Sequence, residues 1–385
     1  MLISKKIESV SASATLEITA KVKSLKSKGI DVVNFAAGEP DFDTPAYIKK
    51  AAIEAINDGL TKYTPATGTQ RLKEAICKKL RTDNGLEYKT DQIVVSCGAK
   101  HALYNILQVI CQEGDEIIIP SPYWLSYPEM VKLAGARPVI AETDKTTFII
   151  KARKLERCIT KKTRAIILNS PSNPTGAVYS KEALEELAEF AVKHNIFVIS
   201  DEIYEKLIYD GLKHVSIASL NKKIYELALV VNGVSKSYAM TGWRIGYLAG
   251  KREIISGIAA LQSHSTSNPS SISQAASFAA ISKDDVSTRK MAEEFKKRRD
   301  ALLAGMKEIK GIKCGKSQGA FYCFADVSQT GMDGLTFSKN LLDEKHVATI
   351  PGGPFGMKDY VRFSFATGID DIKKGIERLK EWVKQ

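Results

Sequence analysis

The sequence predicts an α/β fold: a large domain with a mainly parallel sheet sandwiched by helices, plus a smaller α+β domain. Three observations carry this. From residue 47 onward, short, continuously apolar, β-branched segments alternate with amphipathic helical segments, as in a sheet buried on both faces. Near residue 290 the alternation gives way to a long charged helical stretch, further strands and a final amphipathic helix. The 385 residues, 44% hydrophobic and 26% charged, suffice for two cores without disulfide staples.

In chain order, residues 1–12 read as an N-terminal arm. Residues 70–81 set Leu72, Ala75, Ile76 and Leu80 on one helical face. Residues 92–96 make a short β-branched strand, followed by Gly98 and a helical run over 102–110. Residues 115–120 (DEIIIP) and 163–169 (TRAIILN) are buried strands, the second stopped by Pro171 and Pro174. Residues 180–194 form a helix with Ser180 as N-cap and Leu184, Leu187, Ala188, Ala191 and Val192 as its apolar stripe. Strands follow at 196–200 and 229–233. The helix over 286–309, built around EEFKKRRD, is placed to bridge two domains; strands at 321–327, 347–350 and 360–366 come next. The last helix aligns Ile372, Ile376, Leu379 and Val383. The expected division is 47–290 for the large domain and 1–46 with 291–385 for the small one.

Charge and cysteine content exclude several classes. The net charge of +12 comes from lysines and arginines in short, separated groups at 161–162, 222–223, 296–299 and 373–374. None is interleaved with aromatics as a nucleic-acid platform would be. No apolar run approaches the ~20 residues of a membrane span, and the N-terminus lacks a signal-peptide core, so a cytoplasmic protein is expected. Six cysteines without a CxxC pair, with five histidines, point to reduced thiols and no metal site. Residues 311–317 (GIKCGKS) fall one residue short of a phosphate-binding P-loop and read as a loop before a strand.

In open α/β sheets, ligands bind beyond the carboxyl ends of the strands. Those ends offer Gly98, Ala99 and Lys100 opening a helix; Trp124; Asn173 in a turn; Asp201 and Tyr204; and Ser235, Lys236 and Arg244. Each suits one part of a planar, phosphorylated, aromatic cofactor. Backbone N–H groups at a helix start and the Arg244 fork suit a phosphate. Asp201 beside a ring nitrogen keeps it protonated and makes the ring an electron sink. Asn173 and Tyr204 are neutral donors for a ring oxygen, and Trp124 offers a stacking face. A buried Lys236 has a lowered pKa and can form a Schiff base. Taken singly, each is commonplace; their joint order and strand-end placement carry the reading.

The run Ser235-Lys236-Ser-Tyr-Ala-Met-Thr-Gly-Trp-Arg244-Ile-Gly246 closely resembles the lysine signature of class I/II aminotransferases, pyridoxal-phosphate enzymes of fold type I. NSPSNPTG at 169–176, Asp201-Glu-Ile-Tyr204, GEPD at 38–41 and YTPATG at 63–68 match the same family in order and spacing. Within it the chain is similar to the bacterial aspartate aminotransferase branch called Ib or 1-gamma. The resemblance implies that Lys236 carries pyridoxal 5'-phosphate and acts as the proton-transfer base. Asp201 would pair with the ring nitrogen, Tyr204 and Asn173 with the ring oxygen, and Trp124 would stack on the ring. Ala99, Lys100, Ser235 and Arg244 would hold the phosphate, with Tyr63 reaching in from the partner of a homodimer. Arg362 would grip the substrate α-carboxylate, helped by the Gly38 backbone, Asn173 and Trp124. Independently, the alternation in 361–365 (VRFSF) turns Arg362 away from its apolar neighbours.

Two departures stand out. Position 233 is Gly where many relatives carry a hydroxyl, and 262–268 (QSHSTSN) lacks an arginine for a second substrate carboxylate. In the branch resembled, that role falls to residues matching Lys100, Ser13 and Thr15. The expected reaction moves an amino group from an L-amino acid, aspartate first, to a 2-oxo acid such as 2-oxoglutarate. The alternatives are aromatic or prephenate specificity, or a carbon–sulfur β-lyase on the same cofactor. A DNA-binding regulator would need a helix-turn-helix that residues 1–46 do not supply.

Overall fold

The β-branched, apolar runs of the first 250 residues form a central sheet because each presents alternate side chains to two different helical layers. In the computed structural model, which describes residues 3–11, 14–283 and 286–383, thirteen strands are found among those residues. They are β1 (Val33–Asn34), β2 (Ile93–Ser96), β3 (Glu116–Ser121), β4 (Arg137–Glu142), β5 (Thr163–Asn169), β6 (Phe197–Asp201) and β7 (Ala228–Gly233). The rest are β8 (Gly246–Ala249), β9 (Lys313–Cys314), β10 (Tyr322–Asp326), β11 (Val347–Ala348), β12 (Ile350–Pro351) and β13 (Tyr360–Ser364).

The seven-stranded sheet runs β2-β8-β7-β6-β5-β3-β4. Strands β3 to β7 pair in parallel, and β8 runs antiparallel to both β2 and β7. One face packs Val95, Ile118, Ile166, Val198 and Val230 against the helices Gln70–Asn84, Lys181–His194 and Ser271–Ser282. The other packs Val94, Ile117, Ile167, Ile199 and Val231 against Ala99–Ile110 and Arg252–Ser263. Neighbours in sequence thus face opposite layers, as the continuously apolar runs require.

A four-stranded antiparallel sheet, β12-β13-β10-β9, and the parallel pair β1-β11 lie beneath the helices Val286–Lys307, Gly334–Lys345 and Ile369–Val383. Their core joins Phe35, Phe295, Phe321, Phe337, Phe363 and Trp382. Helix Ala14–Ser27 adds Val22 beside Val32, Phe324 and Leu342.

Local signals explain the helix ends. Thr69 caps Gln70–Asn84 through Leu72 N–H, and the helix runs three residues past its expected end, to a left-handed Gly85. Ser180 caps Lys181–His194 as expected, accepting from Ala183 N–H at 3.3 Å. Three expectations are corrected. The stretch 347–350 is two strands in two sheets: β11 pairs with β1, whereas β12 pairs with β13. In the final helix Trp382, not Val383, completes the buried face with Ile372, Ile376 and Leu379. Residues 313–314 within the P-loop-like stretch form β9 itself.

Candidate active site

Asn169 and Asp201 are register partners at the ends of β5 and β6, and β7 ends next to them at Gly233. Past these ends lies a cavity of about 320 Å³. Gly38, Ala99, Lys100, Trp124, Asn173, Asp201, Tyr204, Ser235, Lys236, Arg244, Arg362 and Thr15 all line it. Gly98 does not line it, but packs against the Arg244 guanidinium. Tyr63 lies elsewhere, 93% exposed, so a single chain does not bring it into the cavity. Ser13 falls outside the described residues.

Three backbones converge at the Arg244 end of the cavity. Gly98 has φ 92°, and a Cβ there would sit 2.6 Å from Arg244 Nη2. A Cβ on Gly246 would lie 2.2 Å from Ala99 N, and one on Gly233 2.9 Å from Gly246 Cα. Gly233 is therefore a packing requirement: a hydroxyl side chain there would strike the start of β8. Arg244 donates to Thr241 O at 3.0 Å and to Cys97 O at 3.3 Å, which directs its fork toward the N-terminus of helix Ala99–Ile110. The side chain of Lys100 lies 4.9 Å over the Trp124 ring, and its pKa is lowered by burial and by Arg244.

Asp201 is buried and Lys236 half-buried in this cavity, and desolvation is the largest influence on each. Desolvation disfavours the ammonium and brings Lys236 down to about 8; its Nζ donates to Gly38 O at 2.6 Å. Desolvation raises Asp201 to about 6, against the hydrogen bonds that it accepts from Tyr127 Oη at 2.7 Å and Ile203 N–H at 3.2 Å. Asn169 links the two strand ends: it donates to Asp201 O at 3.0 Å and accepts from Asn173 N–H at 2.8 Å.

Arg362 is 2% exposed on β13, flanked on both sides by paired strands. It donates to Asn173 Oδ1 at 3.0 Å and to Ala36 O at 3.1 Å, and its Nε has no partner among the described residues. Neither partner is a carboxylate, so among the described residues no opposite charge pairs with this buried cation. The guanidinium lies 4.3 Å over the Tyr322 ring, and Tyr322 Oη is 3.1 Å from Tyr204 Oη.

The sequence reading missed Tyr127, Tyr322 and Asn169. Asn169 sat in the quoted 169–176 motif, and Tyr127 lies three residues beyond Trp124 at the start of a helix. Tyr322 reaches the site only because β10 pairs with β13, opposing Ser364 with Phe324 opposite Arg362.

The arrangement fits a phosphorylated pyridine aldehyde: a helix start and an arginine suited to an anion, a carboxylate, an amine, and a guanidinium with an unfilled donor for a substrate anion line one cavity. The family profile described as aminotransferase class I and II matches residues 30–379. The chain belongs to this family. An aspartate aminotransferase of Bacillus subtilis (strain 168) is 48% identical over the whole of both chains. A probable aspartate/prephenate aminotransferase of Aquifex aeolicus (strain VF5) is 43% identical, over 100% of this chain and 99% of its own. The solved structure of an aspartate aminotransferase from Thermus thermophilus with maleate superposes with a TM-score of 0.96, at 41% identity, over 99% of each chain. The chain is thus a pyridoxal-phosphate-dependent aminotransferase, acting on amino and 2-oxo acids. Among the described residues no helix is long and apolar enough to cross a membrane.

Proposed function

We propose that this aminotransferase takes its amino group from L-aspartate and delivers it to 2-oxoglutarate in a ping-pong cycle. The observation that carries the reading is one cavity holding an amine of lowered pKa, a buried carboxylate and a buried, uncompensated guanidinium. Pyridoxal 5'-phosphate, when bound, supplies an aldehyde that condenses with amines and a protonated ring that accepts electrons. The rest belongs to the chain's own residues. Near pH 8 Lys236 is partly neutral, so it can accept the substrate's α-proton at Nζ and return it. Asp201, held by Tyr127 and Ile203, keeps a proton on the ring nitrogen. Ala99, Lys100, Ser235 and Arg244 bind the phosphate, Tyr204 and Asn173 bind the ring oxygen, and Trp124 covers one ring face. Arg362 presents its fork to the α-carboxylate, with Gly38 and Asn173 beside it.

For a second carboxylate, Lys100 and Thr15 are placed in the cavity lining, and the family resemblance adds Ser13, which lies outside the described residues. We assign residues 47–290 to a cofactor-carrying domain and 1–46 with 291–385 to a domain whose closure excludes water. The protein acts as a cytoplasmic homodimer in which Tyr63 serves the partner's phosphate. Exposed Ile53, Ile56, Leu60 and Tyr63, which lie close in sequence, support that face, and six free thiols suit the compartment.

The test is an amino-donor panel with 2-oxoglutarate, with prephenate as a competing acceptor because the Aquifex relative carries it in its name. Aspartate should show the highest kcat/KM and yield a 2-oxo acid stoichiometric with glutamate. Ammonia and pyruvate released without any acceptor would establish a lyase instead.

A further inference from the structure

The loop from Lys236 to Arg244 contains two non-glycine residues in the left-handed region, Ala239 at φ 51° and Arg244 at φ 56°. Side chains with a Cβ adopt this conformation only where the surroundings over-determine it. Internal bonds account for part of the constraint: Tyr238 N–H to Val234 O, Met240 N–H to Ser235 O and Trp243 N–H to Met240 O. The Ala239 carbonyl and the Trp243 indole are instead met by one side chain from a distant segment. Thr44 Oγ1 donates to Ala239 O at 2.6 Å and accepts from Trp243 Nε1 at 3.0 Å. A single hydroxyl thus spends its donor and an acceptor on two points of the loop, one beside each left-handed residue. Arg244 follows Trp243 directly and leans on the same turn through Thr241 O at 3.0 Å. Thr44 does not line the cavity.

We infer that Thr44 is a positioning residue for the cofactor: its hydroxyl sets the loop so that the Lys236 amine and the Arg244 fork face one cavity. The inference rests on the reading of Lys236 and Arg244 as the two anchors of pyridoxal 5'-phosphate. A residue that serves only the fold would change unfolding without changing cofactor retention. Thr44 should change retention, and a serine, which keeps both bonds, should restore it.

The experiment measures pyridoxal 5'-phosphate dissociation from the holoenzyme, by absorbance after dilution into a cofactor trap, for the parent, T44V, T44S, W243F and R244Q. Thr44→Val should weaken retention about tenfold and Thr44→Ser less than twofold. Trp243→Phe, which removes the indole N–H donor and part of the ring but leaves the Thr44 bond to Ala239 O, should weaken it about threefold. Retention by T44V within twofold of the parent overturns the proposal, as does equal weakening in T44S. If T44V does not fold, unchanged retention in W243F overturns it. R244Q separates the two readings: full retention there shows that the Arg244 assignment itself has failed, whereas strong loss there with none in T44V sinks Thr44 alone.

Discussion

Lys236 shows how a residue's surroundings set its chemistry. An exposed lysine stays charged near neutrality; here the loss of water outweighs the nearby Glu39 and Asp201 and brings the amine to about 8. The folded-state pKa lies below the unfolded value of 10.5, so the folded chain binds fewer protons between pH 8 and 10.5, and below pH 8 the partly desolvated ammonium costs stability. Removing it should therefore separate activity from stability. In Lys236→Met, turnover should fall by at least about 100-fold. The cofactor-free variant should resist urea better than the cofactor-free parent at pH 7, by up to about 3 kcal/mol at ~1.4 kcal/mol per pKa unit. Normal turnover would end the assignment of the base. Asp201→Asn should cut kcat far more than cofactor affinity, because the phosphate contacts survive; equal small losses in both would contradict its electronic role. Arg362→Lys should raise KM for every amino acid tested, since a point charge cannot reproduce the fork that meets Asn173 and leaves Nε free. An unchanged KM would refute its part in carboxylate binding.

At the scale of elements, strand ends bring the groups together, and a buried polar cluster braces one of them. Directly after Asp201, Glu202 accepts from Ser200 Oγ at 2.9 Å and Ser216 Oγ at 2.6 Å, and it meets His214 Nε2 at 2.8 Å. One turn on, Glu205 is ion-paired with Lys79 and accepts from Asn84 Nδ2 at 2.9 Å, which ties helix Gln70–Asn84 to the segment after β6. These partners overcome the desolvation of the Glu205 carboxyl and hold its pKa at about 2 against 4.5 unfolded. A depressed carboxylate stabilises the fold fully above pH 4.5 and loses that contribution as pH falls through 2. Glu205→Gln should therefore lower stability at pH 7 by about 3 kcal/mol and flatten the acid limb between pH 4.5 and 2, as read by urea titrations at each pH. A parallel drop at every pH would mean that packing, not ionisation, is what the residue contributes.

At the scale of the whole molecule, the proposed dimer makes a prediction that a monomer cannot meet. If Tyr63 serves the partner's cofactor, a hybrid of one Tyr63→Ala subunit and one Lys236→Ala subunit holds one intact site. Mixing the two poorly active variants under exchange conditions should then recover up to half the parental activity per dimer; no recovery in verified hybrids would show that Tyr63 does not serve the partner's site. The alternation of apolar strands and amphipathic helices determined the α/β class and the parallel sheet, because burial on both faces is written locally in every strand. The positions of Lys236, Asp201, Asn173 and Arg244 were legible for a similar reason: strand ends and turn residues are local signals, and the signature around Lys236 is contiguous. Other features required the folded chain. Whether β8 runs antiparallel, and that Val347–Ala348 and Ile350–Pro351 part company, is decided by pairing. Tyr127 meets Asp201 across 74 residues, and Thr44 meets Ala239 across 195. The close approach of Gly233, Gly246 and Ala99 likewise joins three separate segments. A sequence displays periodicity along one strand or helix, whereas a hydrogen bond between two segments exists only once register and packing have set their distance.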